Sequence, residues 1–273
     1  MAEPVSARDW AVELFRRSVL KQRKLAEVAG LLGRTAGLRC LDLGSDNGVV
    51  SLLLRERGGS WVSGDLTEEA VSSIRSLVGE DVHLVRGDHL PFPDASFDRV
   101  AVVDMLEHVP DEAAFAGELA RVTKPGGLLV VNTPHLKQTL LRRARHALGQ
   151  TDEKHGHLRP GYTAERLRAL LSPAFAIESH RTYSRFFSEA VDTALHWGME
   201  RLGKKSSAKG IVVTGGDLAR HRKTFRAYGT LYPVVWALTR LDALVPASGY
   251  MLIAAARRLS PGSFTRPRGR PSE

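Results

Sequence analysis

Two hydrophobic periods succeed one another along this chain. Over residues 8–29, Trp10, Leu14, Phe15, Leu25 and Val28 recur at roughly helical spacing among Arg and Lys, which predicts an amphipathic helix. From Arg39 onward the pattern becomes short apolar runs separated by amphipathic stretches. Residues 38–43, 60–64, 82–86, 97–103 and 127–132 read as strands, and 49–56, 67–78 and 111–123 as helices. Thr67 is placed to cap its helix, with Glu68 and Glu69 in the first turn, where a helix N-terminus favours acidic side chains. Strands alternating with helices predict an α/β fold, a Rossmann-like, doubly wound and mostly parallel seven-stranded sheet.

After Asn132 the rhythm loosens. Residues 135–160 are polar, basic and contain several histidines, and read as a loop. Residues 163–171 read as a helix with Thr163 at its N-cap, and 174–183 and 250–256 as two strands. A hairpin between those strands needs only a few residues, yet about sixty separate them. Residues 186–247 are therefore expected to form a helical insertion over the ligand edge of the sheet. Its stretch 231–244 is strongly apolar, but Arg240 and Asp242 make it too short and interrupted to span a bilayer. The domain division that follows is an N-terminal helical segment (1–37), a ligand-binding domain (38–185 with 248–258), an insertion (186–247) and a disordered tail (259–273).

Charge sharpens this division. Residues 1–136 carry 15 Lys and Arg against 20 Asp and Glu, a balance of −5; residues 137–273 carry the remaining 24 against 10, a balance of +14. A basic second half suits something anionic: a membrane surface, a phosphorylated acceptor or nucleic acid. The single Cys40 cannot form an internal disulfide, and residues 1–10 lack the apolar core of a secretory signal. The expected location is the cytoplasm, with peripheral contact to the inner face of the membrane.

The candidate chemistry sits at the ends of the predicted strands. Leu41-Asp42-Leu43-Gly44-Ser45-Asp46-Asn47-Gly48 lies where the first strand turns into a helix. Glycine belongs there because a bound cofactor must approach the backbone closely. Asp65 ends the second strand, where a carboxylate can accept both hydroxyls of a ribose. Asp88 follows the third strand, within reach of an adenine amino group. Three acidic residues at three consecutive strand ends stand where such sheets bind ligands. A nicotinamide dehydrogenase is the rival reading, and it fits worse because the G-x-G-x-x-G spacing is absent.

These segments, with Leu90-Pro91-Phe92, Ser96-Phe97-Asp98, Leu106-Glu107-His108-Val109 and Lys124-Pro125-Gly126-Gly127 in the same order, resemble the class I S-adenosylmethionine-dependent methyltransferases of the small-molecule and lipid type. The resemblance covers residues 38–134 strongly and 155–183 loosely. It implies S-adenosyl-L-methionine as cofactor, with Asp42, Gly44, Ser45 and Gly48 around its methionine end. It also implies Asp65 and Leu66 at the ribose, Asp88 and His89 at the adenine, and Asp104 with Met105 near the sulfur. Asp46 replaces the usual middle glycine, and Asp tolerates left-handed geometry better than most residues.

A sulfonium methyl is already activated, so the protein must supply alignment, which can lower a barrier by roughly 7–11 kcal/mol, and a proton acceptor where oxygen or nitrogen is methylated. His108 is the first candidate base, His135 the second, and His155 and His157 follow. Asp104-x-x-Glu107-His108 resembles the Glu-x-x-Glu-His segment of metal-assisted O-methyltransferases. Asp stands at the first position here, and the expectation is that no metal is bound. Phe186, Phe187, Trp197, Tyr228, Tyr232 and Trp236, with Arg181, Arg185 and Arg222, are candidates to line an acceptor pocket. The expected acceptor is a small or lipid-linked molecule, anionic or sugar-containing, methylated on oxygen. An RNA or protein acceptor, or a non-catalytic module on the same fold, is the alternative; no recognised nucleic-acid-binding module is present.

Overall fold

The computed structural model describes residues 7–137, 139–149, 156–201 and 230–260. Two helices come first, α1 (Ala7–Arg16) and α2 (Val19–Leu32). The single N-terminal helix expected from the pattern is broken at Arg17 and Ser18, because the Ser18 hydroxyl accepts from the Lys21 amide and caps α2. The alternating region then follows as β1 (Arg39–Leu43), α3 (Val49–Arg55), β2 (Ser60–Asp65), α4 (Glu68–Val78), β3 (Val82–Leu84), β4 (Phe97–Val103), α5 (Glu112–Val122) and β5 (Thr123–Pro134).

The seven strands lie in the order β3-β2-β1-β4-β5-β7-β6, completed by β6 (Phe175–Tyr183) and β7 (Met251–Arg258). The first five are parallel, and β7 runs antiparallel to both neighbours. Strand order reverses between β1 and β4, and in open α/β sheets such a reversal opens a crevice at the strand C-termini.

Both sheet faces are covered, so the central strands are apolar on both sides. Leu41, Leu43, Val100, Val102 and Leu129 pack on one face with Phe115 and Leu119 of α5 and Leu167 of α7 (Ala164–Leu171). Cys40, Ala101, Val103, Val130 and Ile253 pack on the other with Val28, Ala29 and Leu32 of α2. Thr67, Asp111 and Thr163 each cap the following helix through their side chains.

Residues 135–160 are not a plain loop, since α6 (Leu140–Ala147) forms there; 150–155 lie outside the described residues. Between β6 and β7 stand α8 (Phe186–Arg201), helical backbone at 230–240 and a 3-10 turn at Leu241–Leu244. Asp242 joins the two ends of this segment, accepting from the Arg185, Phe187 and Ser188 amides at the start of α8. Residues 202–229 and the expected tail from 261 onward lie outside the described residues.

Candidate functional site

A cavity of about 380 Å³ opens at the β1/β4 reversal. Gly44, Ser45, Asp65, Leu66, Asp104, Met105 and His108 line it, so seven of the twelve candidates come together. Its depth depends on Gly44. That residue has φ 84°, and a Cβ there would lie 2.2 Å from the Val103 carbonyl oxygen and 2.8 Å from the Met105 Cβ. Only glycine lets the turn after β1 sit against the end of β4. Asp46 adopts φ 56°, the left-handed geometry that the turn requires.

The turn and the second strand are coupled through Asp65. Its Oδ2 accepts from the Asp46 amide at 3.2 Å and its Oδ1 from the Leu66 amide at 2.7 Å. The carboxylate is thereby aimed by backbone donors at the cavity edge, and a carboxylate is an acceptor suited to hydroxyl donors.

The floor is a polar chain. Asp104, at φ 48°, follows β4 and accepts from Asn132 Nδ2 at 2.7 Å and from the Lys24 ammonium. Asn132 Oδ1 in turn accepts from the Tyr183 hydroxyl at 2.6 Å. Burial lowers the Lys24 pKa, but the Asp104 charge and hydrogen bond outweigh it, so the ammonium is held above its ordinary value. Phe15, Lys21 and Lys24 line the cavity from α1 and α2. The amphipathic pattern locates these helices in sequence, but no sequence signal says they turn toward the strand ends.

At the opposite wall His108 follows β4 by five residues, in a 3-10 turn (Leu106–His108). Its Nδ1 lies 2.8 Å from the Gly156 carbonyl oxygen. A carbonyl only accepts, so in the neutral ring the proton sits on Nδ1 and Nε2 carries the basic lone pair.

Five candidates stand outside the cavity lining. Asp42 is buried beneath the turn and accepts from Ser51 Oγ, Ser63 Oγ at 2.8 Å and Arg55 Nη1 at 3.4 Å. Burial raises its carboxyl pKa, and Arg55 and the serines offset only part of that. Its work is to hold α3 and β2 to β1. Gly48 starts α3 at φ 83°, and a Cβ there would lie 2.7 Å from the Ile74 Cα, so it serves the packing of α3 on α4. Asp88 is exposed, and His89 lies 3.6 Å from Glu118 rather than at the cavity. His135 Nδ1 bonds the Gly249 carbonyl at 2.9 Å, tying the end of β5 to the approach to β7. Of the aromatic set of the second half, the described members Phe186, Phe187, Trp197, Tyr232 and Trp236 do not line this cavity either. Arg181 pairs with Glu27, and Arg185 donates to the Asp242 and Val245 carbonyls, which commits both cations. His155, Arg222 and Tyr228 lie outside the described residues.

Residues 41–131, which supply most of the lining of this cavity, match the methyltransferase domain family. Over these residues the chain is similar to that family. A demethylmenaquinone methyltransferase of Mycobacterium sp. (strain KMS) is 35% identical over 159 residues, covering 52% of this chain and 65% of that protein. A ubiquinone biosynthesis O-methyltransferase of Xylella fastidiosa (strain M23) is 36% identical over 104 residues, covering 36% of this chain and 42% of that protein. The chain thus spans less than two thirds of the length of either relative. The cyclase SpnF has the same fold, with a TM-score of 0.59 at 20% identity, covering 88% of this chain and 82% of that one. Because a cyclase shares it, the fold alone does not fix the reaction.

Proposed function

We propose that this protein transfers a methyl group from S-adenosylmethionine to an oxygen of a small or lipid-linked acceptor. The observation that carries this reading is one cavity that combines the Gly44 turn, the oriented Asp65 carboxylate and His108. Asp65 and Leu66 would hold the ribose, the backbone from Gly44 to Ser45 the methionine end, and Asp104 with Met105 the floor below the sulfur. When bound, the cofactor supplies an activated sulfonium methyl. The protein aligns the acceptor and accepts its proton at His108 Nε2. The two relatives above are named for quinones, one of them as an O-methyltransferase, which supports a hydroxylated ring as acceptor.

Calorimetry tests the cofactor assignment: S-adenosylhomocysteine should bind, NAD should not, and Asp65→Ala should weaken binding by about 10-fold or more through loss of charge-assisted bonds. Tight NAD binding with no S-adenosylhomocysteine binding would overturn it. Transfer of a labelled methyl to short-chain hydroxylated quinone precursors tests the acceptor class. His108→Ala should then abolish turnover while cofactor binding remains.

One observation favours a metal-assisted variant of the same reaction. Glu107, His108 and His157 each place one ligand atom within 4.8 Å of the others, beside the cavity wall. A carboxylate and two imidazoles suit a divalent transition metal, and a carbonyl such as that of Gly156, held on the other ring nitrogen, orients a ligating histidine. The Asp104 position named by the sequence resemblance is instead tied to Lys24 and Asn132. Titration with Mn²⁺ or Zn²⁺ decides: saturable binding lost in His157→Ala supports this variant, and binding unaffected by that change excludes these residues.

A further inference from the structure

We infer that the helix at 230–240 is a docking surface for anionic lipid bilayers. This goes beyond methyl transfer and holds whatever the acceptor is. The helix is turned inside out relative to an ordinary surface helix. Its half-buried positions are Tyr232, Val235 and Thr239, spaced by three and four, and Tyr232 Oη accepts from Gln22 Nε2 of α2 at 3.5 Å. At 100° per residue the side turned away from these carries Pro233, Val234, Ala237 and Leu241, with Leu238 and Arg240 at its two edges. The first four are exposed and none is charged; Val234 is 55% exposed, and Leu244, just beyond, 79%. An uncharged, solvent-facing apolar strip about 12 Å long is unusual on a water-soluble surface. At its margin Arg240 stacks over Trp236, 4.0 Å from the ring centroid.

Charge selects the occupant. Residues 201–226, immediately before the helix in sequence, contain eight Lys and Arg and one acidic residue, Asp217, and the whole chain carries +9. The one carboxylate on the 3-10 turn, Asp242, is consumed by the Arg185, Phe187 and Ser188 amides. A second copy of the chain would bring like charges together, whereas an anionic bilayer gives the apolar face a hydrocarbon boundary and the cations their counter-charge. No helix among the described residues is long and apolar enough to cross a membrane, so the predicted mode is lying in the interface.

The test is sedimentation of the full chain with phosphatidylcholine vesicles, with and without phosphatidylglycerol. Binding is expected with phosphatidylglycerol, weakened by salt, and weak with phosphatidylcholine alone. The double variant Val234→Asp with Leu244→Asp should lose about 10-fold or more of this partitioning. Its circular dichroism and S-adenosylhomocysteine binding should stay unchanged, because both side chains are more than half exposed. A fold-independent check is Arg240→Glu, which should weaken binding to anionic vesicles only. Absence of wild-type binding to phosphatidylglycerol vesicles at low salt overturns the proposal, as does equal binding by the double variant. A dimer seen by light scattering and abolished by that variant would reassign the face to self-association.

Discussion

Lys24 of α2 sets its ammonium against the carboxylate of Asp104, eighty positions away at the end of β4. The pair couples the N-terminal helices to the strand that forms the floor of the cavity. Both side chains are about three-quarters buried. Removing one partner leaves the other charge poorly solvated, which costs more than the pair itself contributes. Lys24→Met should therefore destabilise the fold by about 1–3 kcal/mol, and adding Asp104→Asn should recover part of it. Urea denaturation of the two single variants and the double variant measures the coupling. Additive effects would show that the contact contributes nothing to stability.

Two glycines separate steric need from helix propensity. Gly44→Ala places a Cβ against the Val103 carbonyl in a left-handed backbone, and should cost about 2 kcal/mol or more together with S-adenosylhomocysteine binding. Gly30 lies inside α2, and a Cβ there would meet nothing within 4 Å, so Gly30→Ala should stabilise by about 0.5–1 kcal/mol. Equal thermal shifts in the two variants would contradict this reading of the turn.

The parts of the fold set by local pattern were legible in the sequence, and the parts set by docking were not. β4 is found over the expected residues 97–103, because an apolar run bounded by Asp94-Ala95-Ser96 and Asp104 leaves little freedom. β5 begins at Thr123 rather than 127, since Thr123 pairs with Phe97 across an irregularity in register that a Lys-Pro-Gly-Gly sequence conceals. α6 has Leu140, Ala144 and Ala147 at helical spacing, but it is only eight residues long, and Arg142, Arg143, Arg145 and His146 give it the composition of a polar loop. At the site, glycine and acidic residues at strand ends located the cavity. Asp42 follows the same motif logic, yet its side chain turns beneath the turn toward Ser51 and Ser63. Lys21 and Lys24 escape a reading of the sequence because only tertiary packing brings α2 to the strand ends.

Acid stability should depend on Glu118. Its carboxylate accepts from Arg121 Nε and Nη2, both at 2.7 Å, and from the Leu90 amide at 2.7 Å. Arg121 is the largest influence, and with the amide it holds the carboxyl below its ordinary value of 4.5 against the opposing effect of burial. A carboxyl depressed in the folded state contributes stability above its unfolded pKa and loses it as pH falls through the folded value. Denaturation midpoints should therefore fall as pH drops below about 4.5, and Glu118→Gln should flatten that fall while lowering stability at pH 7. An unchanged slope below pH 4.5 would remove Glu118 from the account.

The insertion between β6 and β7 is latched at its base by Asp242. One carboxylate oxygen accepts from the Phe187 and Ser188 amides, at 2.8 and 3.3 Å, and the other from the Arg185 amide at 2.7 Å. These are amides that the first turn of α8 cannot satisfy internally, so Asp242 caps the helix from fifty-five positions away. A negative charge at a helix N-terminus also opposes the helix dipole favourably. Nearby, Lys137 bonds Glu189 of α8 at 2.8 Å and the Ser248 carbonyl at 3.1 Å, so the end of β5 is fastened to both sides of the insertion. Asp242→Ala should cost about 1–2 kcal/mol and raise hydrogen exchange at residues 185–190. Asp242→Asn, which keeps one acceptor oxygen, should lose less. S-adenosylhomocysteine binding should persist in both, because no described residue of α8 or the 3-10 turn lines the cavity. Exchange at 185–190 that is unchanged in Asp242→Ala would mean that α8 is held by its packing alone.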